Sequence, residues 1–465
     1  MTASTRTSAG HRGRRIATAG VLALAAFGGA TVSSPVTPSV AAPPPSEGIV
    51  CTNPSNSSAG HKNYVLTARE GVIQMPDGNS VWMWSYAAGN GAFQYPGPVL
   101  CPTAGDVVTV TLRNQLPVRT SAQFYGIEGV QANGIAALPQ FDGTVLRSLT
   151  SDVAPGGSIT YSFAAPKPGT YLYQSGNDPE LQVEMGLVGA MIVSPLALPD
   201  PDVVAGLPPA EAGFARLAYD DQATMYSAEH EYLLMLTELD PDLHYAVEEG
   251  LVLSSEDYAG TYHPRYFMLN GRSFPDTVAP NGAAWLPNQP YGAMAHVEPY
   301  DAVTNPLPAL IRYVAVGGES YPFHPHSNHE KVIAKDGRRL LDGPAGAEVD
   351  LSAERFAIVV EPGSTVDALF TWEHVEDPYT QANPIPVPAP EGNNLTEGDL
   401  YSGSPYLGAQ GNLNPETQGK NVCGEYYHVA HNHNLSEATN YGAAFGGHFT
   451  LIRVDPADST NCGNA

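Results

Sequence analysis

Short apolar or alternating segments recur along this chain, separated by turns rich in glycine and proline. Examples are DVVTVTLRN, SITYSFAAP, GLVGAMIVSP, EYLLMLTEL, ALIRYVAVG, RFAIVVEPG and HFTLIRVDP. Segments of this length and period are typical of β-strands, and the 47 glycines and 42 prolines are spread between them. We therefore predict an all-β protein of Greek-key sandwiches or barrels, with one short helix in PDLHYAVEEG.

A weak internal repeat predicts the number of domains. The order of Pro-Gly turn, strand, Gly-aromatic strand and closing strand occurs in VAPGGSITYSF, GTYLYQSGN and GLVGAMIVSP, and again in VEPGSTVDALFTW, GEYYHVAHNH and FGGHFTLIRVDP. We predict two homologous β-sandwich domains, at residues 48–197 and 214–456, with a linker at Pro195–Gly213. A Pro/Gly-rich insertion at about 376–422 is too long for a plain loop, and we expect it to cover the site or a subunit interface.

The N-terminal segment resembles an export signal. Residues 1–41 carry four arginines and no acidic residue, and the apolar run IATAGVLALAAFGGATV precedes the small-residue pattern Ser39-Val40-Ala41. This is typical of a secretory signal peptide, and the pair Arg14-Arg15 suggests twin-arginine export. No later segment is apolar over the ~20 residues that a membrane span needs. We expect a soluble, secreted protein.

Charge and cysteine content restrict the partners and the compartment. The net charge of -26 disfavours nucleic acid and anionic membranes as partners, whereas it attracts cations. Four cysteines suit two disulfides in an oxidising compartment. Two lie early and two late, which favours Cys51 with Cys101 and Cys423 with Cys462, one of three possible pairings.

Two His-x-His pairs are the strongest chemical signal in the sequence. They are His324-Pro325-His326 and His431-Asn432-His433. Residues i and i+2 of a strand face the same side, about 6.6 Å apart at Cα, so each pair aims two imidazoles at one space. Four imidazoles from two strands match the nitrogen ligand sets of copper or zinc. A histidine-rich surface loop is the alternative interpretation of YPFHPHSNHE.

Eight further histidines fall into two groups. Three are candidates for auxiliary metal ligands, namely His329, His428 and His448. Five lack a partner at ligand spacing, so we interpret them as structural: His230, His244, His263, His296 and His374. No Gly-x-Ser-x-Gly nucleophile motif occurs in the sequence.

The stretch YPGPVLCPTAGDVVTVTLRNQLP resembles the first-domain signature of multicopper oxidases, the laccase-related cupredoxin family. The similarity continues through DVAPGGSITYSFAAPKPGTYLYQS, RYFMLNGRSFPDT, YPFHPHSNH and HNHNLSEATNYGAAFGGHFTLI. The resemblance implies two cupredoxin-like (plastocyanin-like) sandwiches. It also implies oxidation of a reducing substrate at a type 1 copper, coupled to oxygen reduction at a three-copper cluster. Two-domain relatives often form trimers with the cluster between subunits, so the resemblance also implies a homotrimer.

This chain keeps only part of the family's copper ligands. The family supplies four His-x-His pairs to the cluster, but Gln123 and Tyr125 stand at the first position and Gln174 and Gly176 at the second. The remaining two pairs are His324 with His326 and His431 with His433, where a different alignment of the last motif would use His428. The type 1 histidine, cysteine and axial methionine are replaced by Tyr321, Asn432 and His448.

A type 1 centre needs a thiolate, so we expect no ordinary laccase turnover. The sequence therefore predicts a secreted copper-binding protein of this family, with His324, His326, His431 and His433 as ligands and no intact type 1 centre. A reduced oxidoreductase activity on a small reducing substrate or oxygen is compatible with such a site. The alternative is a redox-silent cupredoxin scaffold or binding protein that holds zinc or no metal.

Overall fold

The computed structural model describes residues 47–251, 260–326, 328–344, 347–373, 426–443 and 446–455. These residues all belong to one compact unit. Several sequence predictions fall outside the described residues: the signal peptide 1–41, the insertion 376–422, His374, Cys423 and Cys462. The predicted domain boundaries remain a prediction.

Nine of the eleven strands in the N-terminal half build a sandwich. One sheet has the order β2-β1-β3-β9-β5-β6 and the other β11-β10-β4, while β7 and β8 form a separate hairpin. A large apolar cluster fills the space between the two sheets. The strands are β1 His61–Gln74, β2 Ser80–Ala88, β3 Val107–Asn114, β4 Gln123–Phe124, β5 Gln131–Ala132, β6 Ile135–Ala136, β7 Gln140–Asp142, β8 Val145–Ser148, β9 Ser158–Ala164, β10 Gly169–Gln174 and β11 Val188–Val193.

A second sandwich follows. Its sheets have the orders β15-β14-β17-β25-β19-β20, with β23 also paired to β19, and β16-β27-β26-β18-β24; a second apolar cluster lies between them. The strands are β12 Ala215–Leu217, β13 Met225–Ser227, β14 Glu231–Leu239, β15 Tyr266–Leu269, β16 Ala295–Val297, β17 Ala309–Ala315, β18 Tyr321–Pro325, β19 Glu330–Lys335, β20 Arg338–Arg339, β21 Leu341–Asp342, β22 Val349–Asp350, β23 Ala353–Arg355, β24 Ile358–Val360, β25 Thr365–Phe370, β26 Tyr426–Asn432 and β27 Phe449–Val454.

Helix is scarce, and all helices of the described ranges are short. The predicted helix in PDLHYAVEEG is confirmed at Pro241–Glu248, where the Asp240 carboxylate caps the first turn by accepting from the N–H groups of Asp242 and Leu243. None of these helices could cross a membrane. The α-helices are Pro179–Glu184, Pro201–Ala205, Pro209–Ala212, Pro241–Glu248 and Leu435–Ala438, and the 3-10 helices are Gln222–Thr224, Ala228–His230 and Asp276–Val278.

Strand β11, whose sequence is a continuous apolar run, lies where the two sandwiches meet. In β11, Met191 and Val193 face the first core, whereas Val188, Ala190 and Ile192 join a third cluster that includes residues of β14 and β17. Both faces of β11 are therefore buried, which removes the alternation expected of a strand with one solvated face.

A buried polar network crosses the same interface. Thr170 of β10 donates a 2.6 Å hydrogen bond to Asp367 of β25, and Arg312 of β17 donates to Thr170 at 3.1 Å and to Asp367 at 3.2 Å. In the N-terminal half, the predicted disulfide between Cys51 and Cys101 is present, with a Cα–Cα distance of 5.7 Å.

Candidate metal centre

Sheet register brings the two His-x-His pairs together. Strands β18 and β26 are antiparallel neighbours, and His324 lies directly opposite His431. On β18, Tyr321 and Phe323 point into the sandwich core, so the alternating His324 points to the other face. His324 and its neighbour His326 are half-buried, as is His431, whereas His433 is exposed. The cluster therefore lies at the protein surface.

The four imidazoles are in mutual contact. The ring centroid of His324 lies 4.7 Å from that of His326, 4.9 Å from that of His433 and 5.9 Å from that of His431. The His431 ring is 5.1 Å from His326 and 5.4 Å from His433. Nε2 of His326 and Nε2 of His431 are 3.0 Å apart. The structure therefore places these four side chains in one cluster, and their role as metal ligands stays a prediction.

Backbone carbonyls orient two of the rings. Nδ1 of His431 lies 2.8 Å from the carbonyl oxygen of Asn432, and Nδ1 of His324 contacts the carbonyl oxygen of Phe356. A carbonyl oxygen only accepts, so both Nδ1 atoms carry the proton, and the lone pair is on Nε2. Metal-binding histidines are held by the same kind of bond through their other ring nitrogen.

The environment favours the neutral form of two of the four imidazoles, His326 and His431. Burial, together with the positive charges of His431, His324 and His433, lowers the pKa of His326 to about 4. Burial also lowers the pKa of His431. Neutral imidazole is the form that binds metal ions, so these two rings are competent ligands near neutral pH.

The donor set fits copper, although the rings do not yet enclose a metal position. Two ligands about 2.0–2.1 Å from one metal and roughly 90–110° apart lie roughly 2.9–3.4 Å from each other, which matches the 3.0 Å between the Nε2 atoms of His326 and His431. Within the described ranges, however, no group of three or more His, Cys, Asp or Glu side chains is arranged to hold a metal ion as it stands. Metal binding would therefore require the rings to rearrange and the proton between the two Nε2 atoms to leave.

The auxiliary candidates lie in three different environments. His428 is near enough to His326 for their charges to interact, and its ring lies 4.5 Å from Trp372. His329 is exposed, and no ring contact joins it to the four imidazoles in the described part of the chain. His448 is fully buried on the other side of β26, so it does not belong to the cluster.

The residues that replace the type 1 copper ligands form a hydrogen-bonded network. The Asn432 amide nitrogen lies 3.2 Å from Nδ1 of His448 and donates to the Glu437 carboxylate at 2.6 Å. Nε2 of His448 donates to the carbonyl oxygen of Thr237 at 2.9 Å, and the Tyr321 ring packs edge-on against the His448 ring at 4.7 Å. Because both nitrogens of His448 are engaged and no thiolate is present, this position does not fit a type 1 copper.

The first sandwich supplies amides where the family has imidazoles. Gln123 on β4 pairs with Gln174 on β10, so the positions of the two missing pairs are neighbours. The Gln174 amide donates to the Tyr125 hydroxyl at 2.9 Å. Neutral amides are poor ligands for copper beside imidazoles, so these residues do not extend the metal site.

Sequence reasoning missed Glu437 and the Phe356 carbonyl. Asn434 and Glu437 have the spacing of a capping box, which signals the short helix Leu435–Ala438 but not the contact of Glu437 with Asn432. No sequence signal identifies Phe356, since its contact with His324 depends on the pairing of β18 with β24.

Parts of this chain are similar in sequence to multicopper oxidases. A family model described as Multicopper oxidase matches residues 69–197. The multicopper oxidase MmcO of Mycobacterium tuberculosis is 38% identical over 76 residues, which are 16% of this chain and 13% of that protein. Laccase abr2 of Aspergillus fumigatus is 30% identical over 182 residues, 38% of this chain and 27% of that protein. The chain thus spans less than a third of the length of these relatives.

Solved structures extend the similarity over most of the chain. The multicopper oxidase mgLAC has a TM-score of 0.52 and 18% identity, and the match covers 87% of this chain and 90% of that one. The blue copper oxidase from Nitrosomonas europaea has a TM-score of 0.51 and 18% identity, with 85% and 86% covered. The similarity establishes the predicted all-β fold of cupredoxin-like domains.

Proposed function

We propose that this chain is a secreted, multicopper-oxidase-like copper-binding protein whose ligands are His324, His326, His431 and His433. The match of residues 69–197 to the multicopper oxidase family model supports this proposal. One observation carries the proposal, namely the contact of four imidazoles from two adjacent strands, with two Nε2 atoms 3.0 Å apart. The similarity to multicopper oxidases supports copper over zinc, since imidazoles bind both metals.

The residues around the cluster have separate roles in this proposal. Copper held by imidazoles supplies one-electron redox chemistry. The carbonyl oxygens of Phe356 and Asn432 hold the rings of His324 and His431 with Nε2 directed away from them. His433 is exposed, which leaves a path by which a small reducing substrate or oxygen can approach. We therefore propose a copper-dependent oxidoreductase activity that differs from four-electron laccase turnover.

A second candidate function is a redox-silent scaffold or binding protein. The type 1 position favours it, because Asn432, Glu437 and His448 fill that position with a closed network. The glutamines Gln123 and Gln174 of the first sandwich also favour it. The two candidates differ in whether the four imidazoles bind copper.

Calorimetric titration of Cu(II) at pH 7 separates the two candidates. We expect the unmodified protein to bind copper, and His326→Ala or His433→Ala to bind it at least about tenfold more weakly, since each loses one ligand. Gln174→Ala is the matched control and should bind like the unmodified protein. Equal affinity in all four proteins would favour the redox-silent scaffold. Elemental analysis after growth with copper or zinc identifies the metal.

We further propose that the protein forms a homotrimer. Five large apolar side chains are exposed close together on and before the hairpin β7–β8: Ile135, Leu138, Phe141, Val145 and Leu146. An exposed apolar group of this kind is typical of an interaction surface, and a second copy of the chain is the partner that the family suggests. Multi-angle light scattering should give three times the monomer mass; a monomer would contradict the proposal.

A further inference from the structure

The side chain between His431 and His433 is held by a closed set of hydrogen bonds. Asn432 has no exposed surface. Its amide nitrogen donates to Oε2 of Glu437 at 2.6 Å and lies 3.2 Å from Nδ1 of His448. Its amide oxygen accepts the N–H of Asn434 at 2.8 Å. Both donors and the acceptor of this amide are therefore engaged.

Glu437 is itself anchored. Its side chain is 4% exposed, and its other carboxylate oxygen accepts from the amide of Asn434. Its backbone carbonyl accepts the N–H of His448 at 3.0 Å. The carboxylate is therefore a fixed point between the short helix Leu435–Ala438, on which it lies, and strand β26.

Asn432 transmits this constraint to both neighbouring histidines. Its carbonyl oxygen accepts from Nδ1 of His431 at 2.8 Å, and its N–H donates to the carbonyl of His448 at 2.9 Å. The N–H of His433 donates to the carbonyl of Pro322 on β18 at 2.7 Å. A shift of Asn432 would therefore alter the ring orientation of His431 and the backbone that carries His433.

We propose that Glu437 is a positioning residue for the metal centre, which acts through Asn432 to fix the orientation of His431 and His433. The inference rests on the proposed copper-binding function. Asn432 stands where the family has a type 1 copper ligand. In this chain its hydrogen bonds support the neighbouring histidines, His431 and His433. Residues that hold metal ligands in place typically contribute about 10- to 100-fold to metal affinity.

Three substitutions of one residue test the proposal in the full chain. Glu437→Ala removes the carboxylate, Glu437→Asp withdraws it by one methylene and keeps its charge, and Glu437→Gln keeps an oxygen that can accept from Asn432. We expect the Ala and Asp variants to bind Cu(II) at least about tenfold more weakly, with a changed copper hyperfine splitting in the electron paramagnetic resonance spectrum. The Gln variant should match the unmodified protein in affinity and spectrum.

Glu184→Ala is the matched control, because Glu184 is also a buried glutamate but lies in the first sandwich. It should lower the unfolding midpoint without a change in the copper spectrum. If Glu437→Ala does not fold, the Asp and Gln variants decide the comparison. Unchanged affinity and spectrum in the Ala and Asp variants would overturn the positioning role. Absence of copper binding in the unmodified protein would instead refute the proposed function, and this inference with it.

Discussion

Asn432 determines which copper chemistry is open to this chain. A thiolate at this position would be the essential ligand of a type 1 centre, whereas the amide donates to Glu437 and lies within hydrogen-bonding distance of His448. Asparagine in place of cysteine removes a copper ligand. Its amide also satisfies two buried polar groups, the Glu437 carboxylate and Nδ1 of His448. Asn432 is therefore part of a buried hydrogen-bonded network.

Restoration of the cysteine should therefore not restore the blue centre. We expect Asn432→Cys to lower the free energy of unfolding by about 1–3 kcal/mol, since it leaves buried partners of the amide unsatisfied. The copper-loaded variant should also lack an intense blue band, because Tyr321 still stands where a type 1 centre has a histidine. Nε2 of His448 also still donates to the carbonyl oxygen of Thr237. Urea unfolding and absorption spectroscopy measure the two effects, with the exposed Leu435→Cys as control. A stable, blue variant would contradict this account.

Among the elements, periodic strands were predictable and contacts between distant segments were not. The alternation in β3 buries Val108, Val110 and Leu112 on one face, which the sequence pattern indicates directly. The predicted linker Pro195–Gly213 instead contains two short helices. One of them begins after Asp200, whose carboxylate accepts from the N–H of Asp202. This cap is a local signal that the composition of the segment concealed.

In the candidate metal centre, too, local patterns were predictable from the sequence and contacts between distant segments were not. The i, i+2 spacing of each histidine pair is a local property of a strand, so it was visible in the sequence. The contact of Glu437 with Asn432 depends instead on how a short helix folds back against β26, and that of Phe356 with His324 depends on the register of β24. Neither follows from the local pattern.

The Cys51–Cys101 disulfide should stabilise the start of the first sandwich. It connects the chain before β1 to the segment at Val99, where the N–H of Thr52 also donates to the Val99 carbonyl at 2.8 Å. Replacement of both cysteines by serine should lower the free energy of unfolding by about 2–5 kcal/mol. Copper affinity should not change, since neither cysteine is a proposed ligand. Unchanged urea unfolding would show that the bridge is dispensable.

At the scale of the whole molecule, buried acids hold protons at neutral pH. The Tyr262 hydroxyl lies 3.0 Å from a carboxylate oxygen of both Glu184 and Glu238, and one hydroxyl proton cannot serve two ionised carboxylates. Burial raises the pKa of Glu184 to about 7 and that of Glu238 to about 8. Burial opposes the charge of His296, but bonds to Asp455 and Glu47 outweigh it and raise its pKa to about 9.

Stability should therefore fall as the pH rises from about 6.5 to 9. The unfolded chain loses these protons near pH 4.3 for glutamate and 6.5 for histidine. The folded state thus binds more protons in this window, and the free energy of unfolding decreases with pH. Urea unfolding at pH 6.5, 7.5 and 9 measures the effect, and the variant Glu184→Gln/Glu238→Gln should show a smaller decrease. Equal stability at the three pH values would contradict the assigned protonation.

The most direct test of the central claim is the position of copper in the protein. We expect a crystal grown with Cu(II), measured at the copper absorption edge, to show an anomalous peak among His324, His326, His431 and His433. No peak is expected between Asn432 and His448, where the hydrogen-bonded network occupies the type 1 position. A structure with no copper at the four imidazoles, or with copper bound at His448, would contradict the account.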